Sequence, residues 1–345
     1  MRRMLSISIL WLLAVLMGVS TAAWAAPVKV VTTLPAYASI AQAVGGDRVQ
    51  AQSISRGDED AHFVKPKPSY ALMLKSADLF VTTGLDLELW APVLVDKSGN
   101  RKIRDGQPGY VNASQGVPLV DVPKNPTREA GDIHIYGNPH IHTSPINAKL
   151  IARNIAAGLK RVDPQGAAVY DKNLAAFNTR LDRALYGDQL PAILGSQTLD
   201  TLARQGKLIP FLQSKDYKGK KLITYLGGWL GKGMAFRGKD LVTYHQNWSY
   251  FTRLFGLDVV GDVEPKPGIP PSAKHVHELI EDMKSKNVKV VMAPSYYPPG
   301  EAKAIAQRTG SDAIIVPLGP SSTTADAYFN LIDSWVNQLA QAYQG

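Results

Sequence analysis

Three histidines close short segments rich in turn formers and acids: Asp60-Ala61-His62, Asn138-Pro139-His140 and Thr243-Tyr244-His245. Each segment reads as a strand end or a loop, the pattern of a metal site assembled by folding. The chain of 345 residues has 7 histidines and no cysteine. A transition-metal site must therefore use imidazole, carboxylate, water or backbone oxygen, and neutral imidazole suits zinc, copper, nickel and iron.

A lone loop histidine is ordinarily a solvated surface residue. His62, however, follows a strand and shares its loop with Asp58, Glu59 and Asp60, so it projects from the carboxyl edge of a sheet, where open α/β sheets bind ligands. His140 sits on a backbone stiffened by Pro139, and a ligand on a constrained backbone loses less entropy on binding. In an extended chain His142 points the other way, so His140 is taken as the ligand and His142 as a residue behind it or on the surface. His245 ends a strand in the second half of the chain. Nothing around His134 supports a role for it, and His275 and His277 fall on the solvated face of an amphipathic helix. His-Glu-x-x-His, Gly-x-Ser-x-Gly and the phosphate-binding Gly-x-x-x-x-Gly-Lys-Ser/Thr are absent. Gly227-Gly228-Trp229-Leu230-Gly231 reads as a turn.

The positioning elements follow an α/β pattern. Strands are expected at Val28–Thr33, Arg48–Ile54 and Asp78–Gly84, with a weaker fourth at Val117–Val120. Helices are expected at Ala36–Val44 and Tyr70–Lys75, the latter capped by Ser69. The Pro145 helix runs to about Val162, and Pro164 to about Leu185 forms a long helix in mid-chain. Alternation resumes with strands at Asp240–Tyr244, Val259–Val260, Val288–Met292 and Ala313–Val316. Helices lie between them at Trp248–Phe255, Ala273–Lys286 (capped by Ser272) and Gly300–Thr309, and Ala325–Tyr343 closes the chain. The fold class is α/β: two lobes, each a mainly parallel sheet flanked by helices, joined by one long rigid helix. The expected boundaries are 1–25 signal peptide, 26–163 first lobe, 164–187 linking helix and 188–345 second lobe.

The signal peptide is read from Arg2-Arg3, the uncharged run Leu5–Val19, and Ala23-Trp24-Ala25 before the cut. With no lipid-anchor cysteine and no later span of about 20 apolar residues, the mature chain is expected to be periplasmic and not inserted in a membrane. The formal net charge is +9, but lysines and arginines are scattered, which argues for solubility rather than nucleic-acid binding.

These segments together resemble the periplasmic solute-binding proteins of zinc and manganese ABC importers, from about Val28 to the carboxyl terminus. The matching pieces are Asp60-Ala61-His62 with Lys67-Pro68-Ser69 and Ala77-Asp78-Leu79-Phe80-Val81; Asn138-Pro139-His140-Ile141-His142-Thr143-Ser144-Pro145; and Val242-Thr243-Tyr244-His245 with Phe255-Gly256-Leu257. The resemblance implies a metal held between the lobes by His62, His140 and His245. It also implies transported zinc (with manganese as the alternative), an ABC permease and its ATPase as partners, a monomer, and no catalytic step. Many family members place carboxylates where this chain has Ala293 and Val316. Their absence favours zinc and leaves the fourth ligand open among Glu59, Asp58, Asp60, Glu264 and water, with Glu59 the first choice. A zinc-dependent envelope hydrolase and a metal-binding adhesin are the alternative functions.

Overall fold

A computed structural model describes residues 26–124, 134–266 and 268–344. The expected signal peptide, residues 1–25, lies outside the described residues, as do residues 125–133. Among the described residues no helix is long and apolar enough to cross a membrane.

The first sheet is built from Val28–Thr32, Val49–Ser53, Leu79–Thr82 and Tyr110–Asn112. All its pairings are parallel, and the chain's second strand lies outside its first, in the order second, first, third, fourth. The second sheet, from Asp240–Thr243, Asp258–Asp262, Val290–Pro294 and Asp312–Val316, has the same order in its own chain sequence and is also parallel. In both sheets the order reverses beside the first strand, which opens a crevice at the carboxyl ends. Leu79–Thr82 and Val290–Pro294 are buried at every position, as parallel strands covered on both faces require.

Several expectations are corrected. The fourth strand of the first sheet is Tyr110–Asn112, paired with Phe80–Thr82, and Val117–Val120 is irregular because Pro118 has no N–H to give a ladder. The helix after His62 is Pro68–Lys75 with Lys67 at the cap and Pro68 in its first turn, so Ser69 caps nothing. Ser272 does cap its helix, accepting from the His275 amide. Three short helices, Gln189–Leu194, Ser196–Arg204 and Leu208–Ser214, fill a stretch with no strong period in sequence.

Past a short turn at Pro164–Gly166, the mid-chain helix runs over Ala167–Tyr186. Tyr170, Phe177, Leu181 and Leu185 on its buried stripe join a core that takes in Val30 and Ile155 of the first lobe and Leu241, Phe251 and Trp335 of the second. Apolar packing thus runs without a break from lobe to lobe. Lys149 adds a polar clamp: it pairs with Asp182 on this helix and, at 2.7 Å, with Asp200.

The lobes also meet backbone to backbone beside the crevice. The Gly319 amide donates to the Gly57 carbonyl at 3.1 Å, and a Cβ on Gly57 would lie 2.2 Å from the Gly319 oxygen and 2.5 Å from that of Pro320. Only glycine allows this approach. Gly57→Ala should therefore cost about 1–3 kcal/mol by overpacking, read as a lower melting temperature of the metal-free protein. An unchanged melting temperature would show that the lobes separate freely at this contact.

Candidate metal centre

His62 lies in a single turn of 3-10 helix, Ala61–Phe63, that follows the second strand of the first sheet. Asp60 caps that turn, accepting from the His62 amide at 3.0 Å, and its Oδ1 also lies 2.7 Å from His62 Nδ1. This contact fixes Nδ1 as the protonated nitrogen and leaves Nε2, buried and without a hydrogen-bond partner, for an ion. The paired imidazole helps hold the Asp60 carboxyl below its ordinary range, although burial works against it.

His140 precedes the helix Pro145–Val162, and Asn138 sets its place. Asn138 Oδ1 accepts from the His140 amide at 3.0 Å, while its Nδ2 donates across the crevice to the Gln246 carbonyl at 2.8 Å and to Ser249 Oγ at 3.1 Å. Tyr250 adds a bond from its hydroxyl to the Asn138 carbonyl at 2.7 Å. One amide side chain therefore ties the loop of one lobe to the turn that carries His245 in the other.

His245 follows the first strand of the second sheet, and its Nδ1 lies 3.1 Å from Glu264 Oε2. Glu264 is itself held by the Tyr297 hydroxyl at 2.8 Å and the Gly268 amide at 2.9 Å. His134 completes the group, its ring stacked on that of His62 with centroids 5.1 Å apart and planes 21° from parallel.

One ligand atom from each of His62, His134, His140 and His245 falls within 4.8 Å of the others. Zinc–nitrogen bonds of about 2.0–2.1 Å in a tetrahedron place nitrogens about 3.3 Å apart, so a modest inward movement would complete the shell. The site residues expected from sequence thus divide: His62, His140 and His245 come together, while Glu59 stays outside the group, its Oε2 accepting from the Arg56 amide at 3.2 Å. Asp58 pairs with Arg56 at the surface, and Asp60 and Glu264 sit behind imidazoles. His134 had no sequence signal beyond lying six residues before His140 in one segment between a strand and a helix.

Burial disfavours the protonated form of two of these rings. It pushes His134 down to about 3, with His62 and His245 adding to the effect, and drives His140 well below the ordinary imidazole value. His142 is also buried: its ring lies 6.3 Å from that of His140 and its Nδ1 has no partner, and burial pushes it down to about 4. Neutral imidazole is the form that binds metal.

A family model described as zinc-uptake complex component A, periplasmic, matches residues 30–185 and 219–342. The iron-binding protein YfeA of Yersinia pestis is 27% identical over 327 residues, 91% of this chain and 86% of its own. The high-affinity zinc uptake system protein ZnuA of Bacillus subtilis is 24% identical over 266 residues, 76% and 69% of the two chains. Among solved structures, the laminin-binding protein of Streptococcus agalactiae, described as having adhesin and metal transporting activity, superposes with a TM-score of 0.64 at 23% identity over 92% of this chain and 99% of that one. FpvC of Pseudomonas aeruginosa in complex with Mn2+ gives 0.65 at 21% identity over 92% and 98%. These structural likenesses carry the two-lobe fold.

A histidine neutral in the fold but protonated when unfolded gives stability that is complete above its unfolded value and is lost as pH falls towards its folded one. For His142 that window runs from 6.5 down to about 4. Glu88 and Asp262, pushed up by burial, act in the opposite sense. The metal-free protein should melt at lower temperature as pH falls through this window, and more shallowly in His142→Gln. Equal slopes for the two would contradict a buried neutral His142.

Proposed function

The chain belongs to the family of periplasmic zinc-uptake components, and from that premise we propose that it captures zinc in the periplasm and hands it to an ABC permease and its ATPase. The observation that carries the choice of metal is the four-imidazole group. Zinc is well served by four nitrogen ligands in a tetrahedron, whereas manganese favours carboxylate, carbonyl and water oxygen. Ala293 and Val316, where the family resemblance would imply carboxylates, are buried apolar side chains in their strands.

The same group argues against catalysis. A catalytic zinc keeps one position open for water or substrate, and four imidazoles fill a tetrahedral shell, so this chain is proposed to be a binding protein and not an enzyme. It acts as a monomer with lobes at 26–163 and 188–345. Because the core is continuous between them, delivery proceeds by small tilts of the lobes and movement of the ligand loops rather than by wide opening.

Chelator competition on the metal-stripped protein tests this reading. Zinc should bind one to one, and manganese at least about 100-fold more weakly. His62→Ala should abolish tight zinc binding and His134→Ala should weaken it by tenfold or more. Manganese binding as tight as zinc, or zinc binding unchanged in His134→Ala, would overturn it.

A further inference from the structure

Four neutral imidazoles around a divalent ion leave two positive charges in a buried site, and two carboxylates lie in direct contact with the rings. Asp60 Oδ1 is 2.7 Å from His62 Nδ1, and Glu264 Oε2 is 3.1 Å from His245 Nδ1. They come from equivalent places: each lies in the loop after the second strand of its own sheet. Asp60 also accepts the His62 amide, and Glu264 accepts the Tyr297 hydroxyl and the Gly268 amide, so donors surround each carboxylate. The other buried acids nearby are committed elsewhere, Glu88 to Thr33 and Thr83 and Asp262 to Thr243.

We propose that Asp60 and Glu264 set the charge preference of the site: one anion from each lobe, acting through an imidazole, balances a divalent ion and disfavours a monovalent one that imidazole would also accept. The inference rests on the four-imidazole reading above. Coulomb's law gives a fixed charge twice the interaction with a divalent as with a monovalent ion. Monovalent copper, which imidazole also binds although softer donors suit it better, is the informative competitor.

The test measures zinc(II) and, under anaerobic conditions, copper(I) affinity by chelator competition for wild type, Asp60→Asn and Glu264→Gln. Each variant keeps an oxygen beside the ring and removes one charge. Zinc affinity should fall about 10–100-fold and copper(I) affinity by only about the square root of that factor, since half the charge halves the free-energy change. Tyr297→Phe, which loosens Glu264 without removing its charge, should lower zinc affinity by less than Glu264→Gln does. Melting of the metal-free variants checks the fold, and should Glu264→Gln not fold, Asp60→Asn still decides. Equal fold-losses for the two ions in the charge-removing variants would overturn the proposal. Failure of wild type to bind zinc, or indifference to His134→Ala, would instead overturn the four-imidazole reading.

Discussion

Crowding four imidazoles into one crevice is the constraint on which the rest of this structure depends. His62, His134, His140 and His245 converge with ring nitrogens that have no partner in the protein, and a buried polar group without a partner costs about 1–3 kcal/mol. In the proposed function a divalent ion would supply the missing partner for all four at once, so that what destabilises the empty protein would become affinity for the metal. The same burial that lowers proton affinity at His134 and His140 removes the chief competitor of the ion.

Holding that crowd together falls to a scaffold with two sheets of the same strand order. Both present their carboxyl edges to one crevice, so short loops suffice to bring His62 from one and His245 from the other. Asn138 spans the crevice between these loops, and the Gly57–Gly319 contact closes it from the side. Behind them, the buried stripe of Ala167–Tyr186 lies within a core shared by the two lobes. Rigidity matters here because imidazoles held near their bound geometry lose little entropy when the ion arrives.

Much of this was legible in the sequence where a local pattern carried it. The apolar runs of Val28–Thr32, Leu79–Thr82 and Val290–Pro294 mark buried parallel strands, and His62, His140 and His245 stand at the strand ends and constrained loops that such a fold turns to binding. Long-range placement decided what was not legible. His134 joins the group through a long-range placement that no spacing announces. Glu264, one of several acids open as a ligand from sequence, stands behind His245 instead, because the Gly268 amide and the Tyr297 hydroxyl, 33 residues away, hold it there. Asn138 reads as a turn former before a proline, yet it is the tether between lobes. The helices over 189–214 are short and broken by Gly195 and Gly206, so their apolar positions show no long period.

The most direct measurement is X-ray absorption at the zinc edge on the zinc-loaded protein. Four imidazole nitrogens at about 2.0–2.1 Å, falling to three with a light oxygen atom in the fourth place in His134→Ala, is the predicted result. A shell of three nitrogens and one carboxylate oxygen in the wild type, unchanged by His134→Ala, would contradict it.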